Sequence, residues 1–277
     1  MNRVIGVMDS GVGGLTVVKE MLRQLPNERI VYIGDSARCP YGSRPREEIV
    51  SFTMEMMRFL LTFEPKALVV ACNTATAAAL EVVRSVSPVP VLGVIDPGAR
   101  AAIRETRGKR IGVIGTVQTI RSGAYETAIR RTRDDLEIVS FPTPELVPLV
   151  EMGWPKAAAR PVLETVLEPV RSAEVETLVL GCTHYPMIAD WIQEVVGPDV
   201  ALINSATETA AELATLLTEM GLLASMSVGF REDDAKEAFP DLRLFTTGDA
   251  ASFRAVAERW LKRPLAVEAV DLRAFAR

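Results

Sequence analysis

Two stretches of this chain carry one local pattern, a short apolar run ending in a cysteine that is followed at once by small polar residues. Leu68-Val69-Val70-Ala71-Cys72-Asn73-Thr74 is echoed by Leu178-Val179-Leu180-Gly181-Cys182-Thr183-His184. Both runs are short and rich in β-branched residues, as buried parallel strands are, so each cysteine falls at a strand's carboxyl end. Open α/β sheets bind their ligands at that end. The echo extends upstream, where Arg3-Val4-Ile5-Gly6-Val7 matches Lys109-Arg110-Ile111-Gly112-Val113. Cys72 follows Ile5 by 67 positions, and Cys182 follows Ile111 by 71. One buried cysteine after a hydrophobic strand is a common structural feature. A matched pair with Asn-Thr and Thr-His attached predicts two related α/β lobes, each contributing a thiol.

Strand-like runs recur near residues 3–8, 29–33, 67–71 and 90–95, with helical patterns between them. A second series follows near 110–115, 137–141, 177–181 and 200–203. Such alternation predicts mostly parallel sheets flanked by helices. Residues 46–63 form the clearest helical pattern: Pro45 suits the first turn, Glu47 and Glu48 complement the dipole, and Pro65 lies just beyond. Asp96 as a cap, with Pro97 at the first helical position, marks a crossing between lobes. Ser205-Ala206-Thr207-Glu208 reads as a capping box opening a helix to about Met220, and it marks the return. A less regular segment follows, then a strand at Arg243-Leu244-Phe245-Thr246-Thr247 and a helix capped by Asp249 and running to about Leu261. This tail is too short for a third domain and should complete the first lobe. The expected division is therefore 1–96 with 206–277 as one lobe and 97–205 as the other.

The whole chain narrows the functional classes. With 31 Lys and Arg against 36 Asp and Glu, the net charge is −5 and the pI about 5.2. No basic stripe interleaves with aromatics, so neither nucleic acid nor an anionic membrane is an expected partner. The first residues run directly into a strand and leave no room for a signal peptide's apolar segment, and no apolar stretch reaches membrane-spanning length. A cytoplasmic protein with reduced thiols is expected. Three cysteines (Cys39, Cys72 and Cys182) fit no disulfide framework, and none are close enough in sequence for a zinc motif.

After the first strand comes Asp9-Ser10-Gly11-Val12-Gly13-Gly14-Leu15-Thr16. Its glycines could let backbone amides approach an anion, or could simply pack strand against helix. Thr16 replaces the third glycine of a dinucleotide fingerprint and no Walker lysine follows, which leaves a carboxylate-sized ligand in place of a phosphate cofactor. Asp9, at a strand's exposed end, is a candidate acid or base. Both cysteines precede helix starts, where amides and the dipole favour thiolate. His184 is the chain's single histidine and lies two positions from Cys182, although residues two apart need not face each other. Cys39 sits in a Pro- and Gly-built loop and reads as incidental, and Glu151 alone would pass as a solvated helix residue. A ligand held between pseudosymmetric lobes would meet one thiol on each face of a carbon. One thiolate could take a proton while the opposite thiol returned one, inverting that centre. A two-lobed protein that binds an acidic ligand without chemistry remains the alternative.

With these motifs, Pro40-Tyr41-Gly42 and Gly181-Cys182-Thr183-His184-Tyr185-Pro186 included, the chain closely resembles the glutamate racemases of the cofactor-independent aspartate/glutamate racemase superfamily over almost its whole length. The resemblance implies interconversion of L- and D-glutamate, supply of D-glutamate for peptidoglycan, an active site in the cleft between the lobes, no cofactor or metal, and a homodimer. By this match Cys72 and Cys182 are the acid/base thiols. Asp9 assists Cys72, while His184 and Glu151 assist Cys182. Ser10, Tyr41, Gly42, Asn73, Thr74 and Thr183 contact substrate, with Thr116 and Thr119 as further candidates.

Overall fold

The computed structural model describes residues 3–224 and 241–276. The first series of elements is β1 (Ile5–Asp9), α1 (Leu15–Gln24), β2 (Ile30–Gly34), α2 (Arg46–Leu61), β3 (Ala67–Val70), α3 (Asn73–Val86) and β4 (Val91–Gly93). Helix α4 (Ile95–Glu105) leads to β5 (Arg110–Gly115), α5 (Val117–Arg121), α6 (Ala124–Arg130), β6 (Glu137–Pro142), α7 (Leu146–Glu151), α8 (Lys156–Val166), α9 (Glu168–Ser172), β7 (Thr177–Gly181), α10 (Ala189–Val196) and β8 (Ala201–Ile203). The chain continues through α11 (Ser205–Glu219), β9 (Leu242–Thr246), α12 (Ala250–Leu261) and β10 (Val267–Ala269).

Among the described residues every strand pairing is parallel, and the strands form two sheets in the orders β10-β9-β2-β1-β3-β4 and β6-β5-β7-β8. The block β2-β1-β3-β4 has the same order as β6-β5-β7-β8, which is the repeat expected from the two cysteine runs. Register makes the match residue by residue. Met8 pairs with Val70, and Ile114 with Leu180. Two positions beyond these pairs stand Ser10 and Cys72 in one unit, and Thr116 and Cys182 in the other. The β9 and β10 additions extend the first sheet on the β2 side.

Both faces of the sheets are covered, so the central strands are mostly apolar, with polar residues confined to their ends. Ile5, Val7, Val69 and Tyr32 pack with α1 and with Ala206, Ala210, Leu213 and Leu217 of α11. Met8, Val70 and Ile33 pack on α2 and α3. In the second unit, Ile111, Val113 and Val179 meet Ile95, Ala99 and Ala102 of α4. Each fully buried Leu, Ile or Val contributes roughly 1.5–3 kcal/mol.

Helix boundaries differ from expectation for local reasons. Pro45 flanks α2 and does not begin it, and α2 ends at Leu61. Helix α4 starts at Ile95, so Asp96 lies within its first turn and does not cap it; its carboxylate faces Arg131 at 3.8 Å. For α11 the cap is Asn204, whose Oδ1 accepts from the Ala206 amide at 3.0 Å. The expected capping box therefore does not form, because Glu208 turns outward to a bidentate pair with Arg104. Asp249 does cap α12, accepting from the Ser252 amide at 2.7 Å. Most of the less regular segment expected after α11, residues 225–240, lies outside the described residues.

One buried ion pair ties the end of α11 to the first sheet. Lys66 Nζ lies 2.5 Å from Glu28 and donates to the Leu222 carbonyl, while Glu28 Oε1 accepts from the Ala224 amide. Both side chains are almost fully buried. Lys66→Met leaves a buried carboxylate without its cation, and urea unfolding is expected to lose about 3–5 kcal/mol. A loss below 1 kcal/mol would show that Glu28 reaches solvent.

Candidate active site

The two thiols meet. Cys72 follows β3 and Cys182 follows β7, and both line one small cavity with Ser10, Cys39, Pro40, Tyr41, Gly42, Asn73, Thr74, Thr116, Val147, Thr183 and His184. Its volume is about 10 Å³, room for about one water. Larger grooves exist, such as one of about 720 Å³ lined by Arg160, Glu164, Arg171 and Glu194, but none of the residues lining it carries a thiol. Chemistry, not volume, singles out the small cavity.

The thiols sit in unlike surroundings despite their matched positions. Cys72 is the N-cap of α3: its Sγ accepts from the Ala75 amide at 3.4 Å, and Ser10 Oγ lies 3.4 Å away. Burial, then the nearby Asp9 charge, pushes the Cys72 thiol up to about 12, against the lowering effect of those two hydrogen bonds. Cys182 Sγ lies 3.7 Å from His184 Nδ1, and His184 Nε2 lies 2.6 Å from Glu151 Oε1. Burial disfavours the imidazolium, but the hydrogen bonds to Cys182 and Glu151 outweigh it and hold His184 well above its ordinary value. Glu151 is held below the usual carboxylate range: burial opposes its charge, while His184 and the Val12 amide favour it. One thiol thus has an imidazole ring beside it, while the other has the Ser10 hydroxyl, the Ala75 amide and the nearby Asp9 carboxylate.

The glycine loop does not present its amides to a free anion. The Gly11 amide donates to Asp9 Oδ2 at 2.9 Å, and the Val12 amide serves Glu151. Asp9 Oδ1 accepts from Thr183 Oγ1 across the cleft at 3.2 Å. Asp9 is fully buried beneath the cavity, and its hydrogen bonds run to Gly11 and Thr183 with none to Cys72. Glycine at position 13 is required by packing, since a Cβ there would collide with Thr183 and His184. At Gly42 a Cβ would come within 2.5 Å of the Thr116 Cβ.

Other expected site residues fall into place with distinct roles. Thr74, Thr116 and Thr119 form a hydroxyl triangle across the cleft at 2.8, 3.2 and 3.0 Å. Asn73 Oδ1 accepts from Tyr125 at 2.7 Å, and its buried Nδ2 has no protein partner. Tyr41 lines the cavity, but its hydroxyl is committed to Asp35 and so is not free for a ligand. Two residues escaped the sequence reading. Tyr125, on α6, orients Asn73 from a segment with no motif. Cys39 is not incidental: its Sγ is 3.7 Å from Glu151 Oε1, and its adjacency to Pro40-Tyr41-Gly42 was the available signal. No helix among the described residues is long and apolar enough to cross a membrane.

The two repeated blocks of parallel sheet, with a thiol at each matched strand end, fall within residues matched by the Asp/Glu/hydantoin racemase family, a class of isomerase, over 5–213. The chain belongs to this family. Within it, the chain is similar to glutamate racemases. That of Exiguobacterium sibiricum is 48% identical over 96% of this chain and 94% of its own. The crystal structure of glutamate racemase isoform RacE1 from Bacillus anthracis superposes with a TM-score of 0.90, at 48% identity and 98% coverage of both chains. Glutamate racemase from Francisella tularensis in complex with D-glutamate superposes at 0.87, with 34% identity and 99% coverage of both.

Proposed function

We propose that this protein interconverts L- and D-glutamate by proton transfer between two thiols, without a cofactor, and that it supplies D-glutamate for peptidoglycan in the cytoplasm. The observation that carries the reading is that Cys72 and Cys182 reach one cavity from equivalent strand ends. The substrate assignment draws on relatives such as the glutamate racemases of Exiguobacterium sibiricum and Listeria monocytogenes, 48% and 46% identical.

The Cys182 thiolate, held beside the His184 imidazolium, takes the α-proton from one face. The Cys72 thiol gives its proton to the opposite face, leaving Cys72 as thiolate and Cys182 as thiol. The reverse turnover runs the same transfers backward. Recognition relies on neutral donors: Asn73 Nδ2 is free to bond a carboxylate, and Ser10, Thr74, Thr116, Thr119 and Thr183 supply hydroxyls. Tyr41 and Gly42 serve through their place in the wall, and Asp9 positions Gly11 and Thr183. No Lys or Arg lines the cavity, so the amide-rich start of α3 supplies the positive potential.

Glutamate does not fit in 10 Å³. We infer that lobe 1–96 with 206–277 and lobe 97–205 separate to admit it, and that two copies of the chain associate as a homodimer. The test is incubation of L-glutamate in deuterated water. Rotation falling to zero with one α-deuterium per inverted molecule is the expected result, and inversion with retained α-hydrogen would overturn it.

A further inference from the structure

Cys39, Glu151 and His184 come from three separate elements: the loop after β2, the end of α7 and the turn after β7. One ligand atom from each, the thiol sulfur, a carboxylate oxygen and a ring nitrogen, lies within 4.8 Å of the other two. We propose that these three side chains form a binding site for a thiophilic divalent cation, zinc in the first instance, and that its occupation silences the enzyme.

The donor set is that of zinc: thiolate, imidazole and carboxylate, with a fourth position open to water. Tetrahedral zinc with bonds of about 2.0–2.3 Å places ligand atoms roughly 3.3–3.8 Å apart. Cys39 Sγ to Glu151 Oε1 is already 3.7 Å, while the 2.6 Å Glu151–His184 hydrogen bond must lengthen to admit the ion. Residue 11 must be small for the cluster to keep this shape: a Cβ there would lie 2.7 Å from Glu151 Oε1 and 3.1 Å from Cys39 Sγ, so the glycine backbone packs directly against these side chains. The outer arrangement also suits a metal. His184 Nδ1 faces Cys182, which fixes the ring with Nε2 toward the cluster.

Binding displaces two protons, one from the Cys39 thiol and one from Nε2 of the His184 imidazolium. The metal then occupies the nitrogen that Glu151 serves, and the imidazole beside Cys182 is no longer an exchangeable cation. Coordination is independent of the substrate reading; the silencing rests on it.

The experiment titrates purified full-length protein with zinc by calorimetry and with cobalt by near-ultraviolet absorption, where a thiolate–cobalt charge-transfer band reports sulfur ligation. Racemisation is followed in parallel. One equivalent is expected to bind, with the band present. Binding should weaken at least tenfold in both Cys39→Ser and Glu151→Gln, with circular dichroism showing each variant folded. Inhibition by zinc should shift with Cys39→Ser, measured against that variant's own metal-free rate. Unchanged zinc binding and an unchanged cobalt band in Cys39→Ser would place the metal on Cys72 and Cys182 and overturn the site. Binding lost with Cys39 but without inhibition in the native protein would overturn the silencing. The metal titrations use no glutamate, so they stand or fall apart from the substrate assignment.

Discussion

Replacing either Cys72 or Cys182 by Ala is expected to lower kcat/KM for racemisation by about 10³-fold or more, within the range that a positioned proton-transfer group contributes. The two variants should differ in what survives. In Cys72→Ala the Cys182–His184–Glu151 array remains, with its hydrogen bonds at 3.7 and 2.6 Å. It should still exchange the α-proton of the one enantiomer whose hydrogen faces it, washing in deuterium without inversion. In Cys182→Ala the surviving thiol is the one that burial pushes up to about 12. Its thiolate is scarce near neutrality, so exchange of the opposite enantiomer should be at least tenfold slower. Proton NMR of each enantiomer in deuterated buffer reads both rates. Equal exchange in the two variants would show that the imidazolium does not set the difference between the thiols.

The second large effect is on pH dependence. Because the folded protein raises His184 well above its ordinary value, the imidazolium persists through neutrality and is lost only as pH climbs past that raised value. No inflection of kcat/KM near 6.5, the ordinary value for histidine, is therefore expected. Glu151→Gln removes one of the groups that raise it, so the imidazolium deprotonates at a lower pH and the alkaline limb moves down. At pH 8 the variant should lose about 10²-fold, and at pH 6 markedly less. A pH profile from 5 to 10 decides the matter. Parallel profiles, displaced by a constant factor, would mean that Glu151 acts through packing alone.

The architecture was legible because strand repeats are local in sequence. Four β-branched runs, two of them ending in cysteine, suffice to specify matched parallel sheets, and β9 and α12 were readable from Arg243–Thr247 and Asp249. Less legible were features decided between lobes. Nothing near Asp9 reveals that its oxygens are taken by Gly11 and Thr183, the latter 174 positions away. Tyr41 carries a hydroxyl that looks available until Asp35 is folded against it. Cys39 has no close sequence partner, and its neighbours Glu151 and His184 arrive from the other sheet's connections. The start of α11 slipped by one residue because a second candidate cap, Asn204, stands beside Ser205.

The unequal surroundings of the two thiols have a thermodynamic consequence. Mirror-image amino acids have identical free energies in achiral water, so their equilibrium constant is unity, and detailed balance requires equal kcat/KM in the two directions. However unlike the surroundings of Cys72 and Cys182 are, they can give neither enantiomer an advantage in that ratio. The asymmetry can only redistribute each direction's barrier between kcat and KM, so the enantiomer that turns over faster at saturation must also be the one with the higher KM.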